Sequence, residues 1–218
     1  MTPRRDRGTT GRGRSPSRDV RKAILDATEG LLASRRFDEI TVTDVLAAAG
    51  VSRASFYFYF ESKHAVLADL VRAAVGAGHQ AARPWLEHPD GPPPAERLRQ
   101  GITDGVRLWR EKAPVLRAIV ENWRTDPALT DLWTELMESY TVAAAERIAR
   151  DREAGVAPEG VEAHTLASAL TWLGERAYYL AAIGVPPFDD ETSLVDVLTE
   201  VWVSTVYGRD QTRSANSV

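Results

Sequence analysis

The segment from residue 41 to 63, TVTDVLAAAGVSRASFYFYFESK, constrains the fold of this chain more than any other. Thr41 and Asp44 have the spacing of a capping box, which begins a helix that Gly50 is placed to end. A second short helix is predicted from Arg53 to Tyr59, with a serine in the capping position before it. Two short helices joined by an Ala-Gly-Val turn predict a helix-turn-helix, whose second helix enters the major groove of DNA.

The predicted second helix carries side chains suited to both bases and phosphates. Arg53 can contact guanine through two hydrogen bonds, and Ala54 or Ser55 can meet a thymine methyl group. Tyrosine hydroxyls and Lys63 suit phosphate oxygens. The predicted DNA-binding residues are Thr41, Ser52, Arg53, Ala54, Ser55, Tyr57, Phe58, Tyr59 and Lys63.

Five consecutive aromatic residues, 56–60, indicate that this helix also presents a contact surface. Phe56 and Phe60 share a face at i,i+4 spacing, and we assign them to the core. Some of the three aromatic residues between them must then face outward, which favours a binding surface. The alternative is a helical hairpin that packs them against its own domain.

The rest of the chain has helical periodicity and no segment of useful length with strand periodicity. A first helix is predicted from Asp19, and Ser62 can cap a fourth helix that the proline-rich residues 84–95 should end. Further helices are predicted over residues 95–111, 114–124, 127–153, 161–184 and 190–207. We therefore predict an all-α fold of about nine helices, with a three-helix DNA-binding domain followed by a helical bundle.

Charge and composition suggest four regions along the chain. Residues 1–17 are rich in Arg, Gly, Ser and Thr, which predicts a disordered basic arm that either contacts DNA or only aids solubility. The DNA-binding domain is predicted at 18–63, the ligand-binding and dimerisation domain at 64–208, and a disordered tail at 209–218. Residues 1–63 hold 12 Lys and Arg against 8 Asp and Glu, whereas the remainder is acidic. A basic end on an acidic body can present one face to phosphates.

Several classes of site are excluded or disfavoured. The chain has no cysteine, which excludes disulfides and thiolate ligands or nucleophiles. Its four histidines have no metal-ligand spacing, and no Walker, GxGxxG or GxSxG motif occurs. No segment resembles a signal peptide or membrane span. We expect a cytoplasmic protein without metal, cofactor, membrane contact or enzymatic activity. The alternatives are a non-specific architectural DNA-binding protein, which the acidic body disfavours, and a small helical enzyme.

The helix-turn-helix segment resembles the signature of the TetR family of bacterial regulators. The matching residues are Ala48, Ala49, Gly50, Val51, Ser52, Tyr57, Tyr59, Phe60, Ser62 and Lys63. The resemblance implies a homodimeric transcriptional regulator with a C-terminal domain that responds to a ligand. Such a regulator is expected to be a repressor that binds double-stranded operator DNA.

The chain most resembles one mycobacterial branch of that family, the repressors that govern ethionamide activation, with weaker resemblance in its C-terminal half. The shared segments are Phe56–Phe60, Leu132-Trp133 with Met137, Glu175-Arg176, and Trp202-Val203 leading into Val206-Tyr207-Gly208. This resemblance implies that Tyr179 and Trp202 lie near a ligand pocket. Thr171 and Gly174 stand where that branch carries polar amides, so its ligand preference does not carry over.

Side-chain spacing also predicts an apolar pocket inside the bundle. Large and aromatic residues share helical faces, and Gly101, Gly105 and Gly174 lie within predicted helices, where they can leave volume unfilled. The predicted ligand-binding residues are Leu98, Ile102, Gly105, Trp109, Trp133, Met137, Tyr140, Thr171, Glu175, Tyr179 and Trp202. In the alternative, the large residues only fill the core and Glu175 pairs with Arg176 or lies at an interface. A small, largely apolar effector is expected.

The last two long helices are predicted to form the homodimer interface. Leu194, Val197, Leu198 and Val201 form one apolar stripe, and Leu166, Leu170 and Leu173 form another. The family resemblance implies that such helix pairs build a four-helix interface between subunits. A dimer would place two recognition helices about 34 Å apart, which matches successive major grooves.

Overall fold

The computed structural model describes residues 16–87 and 92–208, without the side chains of 16–18, 77–79 and 81. These described residues form nine α-helices and no strand, which confirms the predicted all-α fold. The helices are α1 (Pro16–Leu32), α2 (Val42–Ala49), α3 (Arg53–Tyr59), α4 (Lys63–Glu87), α5 (Pro94–Glu111), α6 (Ala113–Asn122), α7 (Pro127–Glu153), α8 (Ala163–Ala182) and α9 (Glu191–Tyr207).

Helices α1 to α3 pack around a small apolar centre. Its side chains are at most 2% exposed, and they are Ile24, Phe37, Ile40, Val45 and Phe56. Each helix contributes to this centre, and the loop between α1 and α2 adds Phe37 and Ile40. The short helix α3, the predicted recognition helix, therefore packs on this apolar centre.

The ends of α2 and α3 follow the predicted capping chemistry. Thr41 and Asp44 form both halves of the capping box, with Thr41 N donating to the Asp44 carboxylate at 2.7 Å. Hydrogen bonds from the Thr41 hydroxyl and backbone lower the pKa of Asp44 to about 2. Gly50 ends α2 in the left-handed conformation at φ 65°, and Ser52 Oγ accepts from Ser55 N at 3.1 Å. Local capping residues thus determine where both helices begin and end.

Alanine at position 50 should destabilise the turn between α2 and α3. A Cβ at Gly50 would meet no atom within 4 Å, so the expected loss of about 1 kcal/mol comes from the left-handed backbone alone. Gly76 is the matched control because it lies within α4, is exposed, and also has open space around it. Gly76→Ala should instead stabilise by about 0.5–1 kcal/mol. Urea unfolding measures both changes, and equal losses from the two variants would contradict this account.

Helix α4 is longer than the sequence predicted. Residues 84–95 were expected to end it, yet α4 continues through Pro84 to Glu87. The missing N–H of Pro84 is tolerated near the helix end, since packing and side-chain caps stabilise this turn. The Trp85 side chain is buried, and Arg147 Nη1 donates to the Trp85 carbonyl oxygen at 2.8 Å. Arg150 Nη2 donates to the Leu86 carbonyl oxygen at 3.1 Å.

The remaining helices form a bundle around α4. Helix α4 packs against α1 on one side and against α5, α6 and α7 on the other. Helix α8 packs against α7, and α9 packs against α5. Buried side chains form a continuous core from α1 through α4 to α6 and α7. Because α4 belongs to both halves, it connects the predicted DNA-binding helices to the bundle.

The predicted helix bounds differ from the observed ones mainly at the ends. Helix α7 begins and ends as predicted, whereas α1 begins at Pro16 and so includes the last residues of the predicted basic arm. The remainder of the arm, residues 1–15, and the predicted tail, residues 209–218, lie outside the described residues. The division into domains at residue 63 remains a prediction.

Candidate DNA-binding face and ligand cavity

Helix α3 buries one side of its aromatic run and exposes the other. Phe56 is fully buried and Phe60 is 4% exposed, as their spacing predicted. Tyr57 is 48% exposed and Phe58 79% exposed, whereas Tyr59 is half-buried and its ring meets that of Phe58 edge-on at 4.9 Å. This helix therefore presents an outward aromatic surface.

The N-terminal end of α3 is also open to contact. Arg53 and Ala54 are exposed, and Arg53 has no hydrogen bond or ion pair with the part of the chain that the structure describes. The Ser55 hydroxyl lies 2.9 Å from the Ser52 hydroxyl. An unpaired guanidinium at this position can reach the edge of a base or a phosphate oxygen.

Two residues that were predicted to contact DNA, Lys63 and Thr41, form hydrogen bonds within the chain. The Lys63 ammonium donates to the carbonyl oxygens of Phe37 and Ile40, at 2.9 and 2.7 Å, and lies 4.6 Å from the centre of the Phe37 ring. Partial burial lowers the pKa of Lys63. The Thr41 hydroxyl donates to the Asp44 carboxylate at 2.6 Å. The carbonyl oxygens of Phe37 and Ile40 hold the Lys63 ammonium in this structure, and its contact with phosphates stays a prediction.

A cavity of about 190 Å³ lies within the bundle, between α4, α5, α6, α7, α8 and α9. Its wall is mostly aliphatic and aromatic, with few polar groups. Ten of the eleven predicted ligand-binding residues line it: Leu98, Ile102, Gly105, Trp109, Trp133, Met137, Tyr140, Thr171, Glu175 and Trp202. The three helical glycines at positions 101, 105 and 174 also line it. Such an arrangement is typical of a small-molecule site.

Gly105 allows α5 and the Tyr178 side chain of α8 to come close together. A Cβ at position 105 would lie 2.9 Å from the Tyr178 hydroxyl oxygen and 3.3 Å from Cζ. The Tyr178 ring also faces that of Trp109, with centroids 6.0 Å apart. Any side chain at position 105 must therefore displace the phenol or enter the cavity.

Two buried polar groups of the cavity wall have no hydrogen-bond partner among the described residues. Glu175 is 5% exposed, and its carboxylate lies no nearer than 3.9 Å to Arg176 Nε. Burial is the main cause that raises the pKa of Glu175. The indole N–H of Trp133, which is 2% exposed, also has no acceptor. Buried polar groups of this kind usually have a partner, so both point to a ligand with polar atoms.

Family comparisons match both halves of this architecture. Residues 24–70 match the model described as bacterial regulatory proteins of the TetR family, and residues 98–208 match the C-terminal domain of the transcriptional regulator EthR. The chain belongs to the TetR family. It is accordingly a DNA-binding transcriptional regulator with an EthR-type C-terminal domain.

Relatives and solved structures agree with this assignment. The EthR regulator of Mycobacterium tuberculosis is 34% identical over 197 residues, which cover 90% of this chain and 91% of that protein. EthR of Mycolicibacterium smegmatis is 33% identical, covering 91% and 93% respectively. The structure of the fatty acid degradation regulator FadR from Bacillus halodurans superposes with a TM-score of 0.70 at 17% identity, covering 91% and 100%, and shares the fold.

One residue that was predicted to line the cavity, Tyr179, does not line it. Tyr179 was expected near the pocket, but its neighbour Tyr178 lines the cavity. The Tyr179 hydroxyl lies 3.2 Å from Glu121 Oε1, and Arg176 lies over its ring at 5.2 Å. Helical spacing explains the difference, since Thr171 and Tyr178 are seven residues apart and share one face.

Sequence reasoning also missed part of the cavity wall. Trp85 lines the cavity, and its ring meets Trp202 edge-on at 5.5 Å. The proline-rich sequence around Trp85 gave no helical signal. The sequence could have predicted Tyr178 as a lining residue, because it follows Gly174 by four residues and Glu175 by three and so lies on the same helical face.

A buried polar network anchors the C-terminal end of α4 to α7 and α9. Trp85 Nε1 donates to the Tyr207 hydroxyl at 2.8 Å, and that hydroxyl donates to Asp151 at 2.6 Å. Arg147 Nε donates to both carboxylate oxygens of Asp151 at 2.9 Å. The end of α4 beside the cavity is thus fixed by specific contacts.

Only part of each predicted dimer stripe is available to a second subunit. Leu170, Leu194 and Leu198 are buried within this chain, which corrects their assignment to the interface. Leu173 on α8 is 43% exposed and Val197 on α9 is 47% exposed. These two leave an apolar surface on the helices that were predicted to dimerise.

Two absences hold for the described residues, 16–87 and 92–208. No cluster of His, Cys, Asp or Glu there could hold a metal ion. Nor is any helix in those ranges long and apolar enough to cross a membrane.

Proposed function

We propose that this regulator acts in the cytoplasm as a homodimeric repressor that leaves its operator when a small, largely apolar effector enters the bundle cavity. The observation that carries this proposal is the path of α4. Ala74, Val75 and Trp85 of this helix line the cavity, while Val66 and Leu67 lie in the core beneath α1 to α3. One helix therefore joins the ligand cavity to the DNA-binding domain.

The length of α4 allows it to act as a lever. Its 25 residues span about 37 Å at 1.5 Å per residue. An effector that pushes Trp85 or Trp202 aside would tilt the far end of α4 and change the separation of the two recognition helices. The effector needs to favour the released state by only a few kcal/mol.

The DNA contacts follow from the exposed side chains of α3. We assign Arg53, Ala54 and Ser55 to base edges, and the Tyr57 hydroxyl to a phosphate. Phe58 and Tyr59 extend the apolar contact. In this proposal Lys63 and Thr41 support α3, and Ser52 caps it.

Members of the TetR family function as dimers, and we place the interface on α8 and α9. Replacing both Leu173 and Val197 by aspartate should produce monomers, because each subunit would bury two unpaired charges at the interface. A monomer holds one half-site, so operator affinity should fall at least about a hundredfold. Analytical ultracentrifugation and gel shift measure the two effects.

Val142 offers a matched control for this experiment. It is 41% exposed, and it lies on α7 outside the proposed interface. Val142→Asp should leave the dimer and the operator affinity unchanged. If Val142→Asp separates the subunits while the Leu173/Val197 double variant stays dimeric, the interface lies elsewhere.

A further inference from the structure

The ionisable side chains of the cavity wall differ in number between acidic and basic types. Among the side chains that the structure describes, which leave out 77–79 and 81, no lysine, arginine or histidine lines the cavity, and Glu175 is the only Asp or Glu that does. The other polar side chains are the hydroxyls of Thr171, Tyr140 and Tyr178 and the indole N–H groups of four tryptophans. Within the described residues, the wall therefore offers one carboxylate to a positive charge and no cationic side chain to a negative one.

The chain gives Glu175 little compensation for its burial. Its contact with Arg176 is 3.9 Å long, and the Arg176 side chain is 54% exposed to solvent. An exposed cation at this distance interacts weakly, because water screens it. Burial raises the pKa of Glu175, and Arg176 opposes that shift only in part. A buried carboxylate of this kind becomes stable when a cation is brought to it.

The aromatic side chains provide a second feature that attracts cations. Trp85, Trp109, Trp133 and Trp202 line the cavity together with two tyrosines. The face of an indole ring attracts a cation, most strongly when the site excludes water. Carboxylate and aromatic faces therefore surround one volume.

We propose that the effector is a lipophilic amine whose ammonium group pairs with the Glu175 carboxylate while its apolar body packs among the tryptophans. This inference rests on the proposed function, since it names the chemistry of the ligand in that same cavity. An organic acid would instead bring a second negative charge to Glu175. A neutral ligand would forgo the ion pair.

The cavity volume limits the size of the amine. A cavity of roughly 150 Å³ lined by aliphatic and aromatic residues accepts a benzene molecule. The 190 Å³ here therefore suits an aromatic ring with a short alkyl chain. Phenylbutylamine, phenylbutanol and phenylbutanoate form a matched series of probes that differ mainly in charge.

Isothermal titration of the full chain at neutral pH tests the proposal. The amine should bind at least about tenfold more tightly than the alcohol, as one charged hydrogen bond provides. The acid should bind most weakly. In Glu175→Gln the advantage of the amine should disappear while the affinity for the alcohol stays within about twofold, since the shape of the side chain is kept. Equal affinities for amine and alcohol in the wild type would overturn the proposal.

Two control variants separate the other interpretations. Glu200→Gln removes an exposed carboxylate of α9 outside the cavity wall and should change no affinity. Arg176→Gln should strengthen amine binding, because the competing cation is lost; a loss of amine binding would contradict the proposed competition between Arg176 and the amine for Glu175. Binding of the alcohol without any preference for the amine refutes only the charge assignment. If none of the three probes binds, the ligand cavity of the proposed function is refuted as well.

Discussion

Replacing Arg53 and Tyr57 together by alanine is expected to lower operator affinity at least about a hundredfold while the dimer stays folded. Both side chains are exposed on α3, so their loss leaves the apolar centre of the domain intact. An arginine contact to guanine contributes about 1–3 kcal/mol, and a dimer loses it twice. Gel shift with an operator selected from random duplexes by the wild-type protein measures the change, and size exclusion checks the dimer.

The control for this variant is Arg107→Ala. Arg107 is exposed on α5 and pairs with Asp104 at 2.8 Å, far along the chain from the helix-turn-helix. This substitution removes the same charge and should leave operator binding within about twofold, as expected of a surface ion pair. Unchanged affinity in the Arg53/Tyr57 double variant would show that α3 is not the recognition helix.

Tyr57 and Lys63 differ in the structure, because the Tyr57 side chain is exposed and the Lys63 ammonium is bound within the chain. The sequence shows a lysine at the start of α4, where a phosphate contact is plausible. Only the folded chain shows that the carbonyl oxygens of Phe37 and Ile40 converge on its ammonium. Those carbonyls lie 26 and 23 residues earlier in the chain, so no local pattern could have revealed them.

Local chemistry explains which parts of the fold were predictable. The bounds of α3 follow from Ser52 before it and from the burial of Phe56 and Phe60 on one face, all within nine residues. The capping box of α2 and its glycine stop are equally local. Helical spacing predicted nine of the ten lining residues, because the interior faces of a bundle repeat every three or four residues, and the family resemblance supplied Trp202.

Contacts between distant helices explain what was missed. Pro84 is accommodated near the end of α4 because Arg147, from α7, caps the carbonyl oxygen of Trp85. Tyr178 and Tyr179 are adjacent on α8, and the choice between them depends on the rotation of that helix against α5 and α7. Gly105 fixes this rotation by admitting the Tyr178 phenol, a contact between positions 73 residues apart.

Gly105→Trp is expected to weaken operator binding about tenfold or more without any effector. The new Cβ would lie 2.9 Å from the Tyr178 hydroxyl, so the phenol must move, and the indole would occupy the cavity. The variant should therefore imitate the ligand-bound state. Allosteric coupling of about 1–3 kcal/mol corresponds to a 5- to 150-fold change. Fluorescence anisotropy of the labelled operator gives the affinity.

Gly76→Trp places the same indole on α4 with open space around it. This control variant should bind the operator as the wild type does and should still take up phenylbutanol. Gly105→Trp should fail to bind the probe, because its own indole fills the site. If Gly105→Trp binds both operator and probe like the wild type, the cavity between α5 and α8 is not the effector site. If it loses the probe but keeps the operator, the cavity binds ligands without controlling the separation of the recognition helices, and the lever role of α4 is wrong.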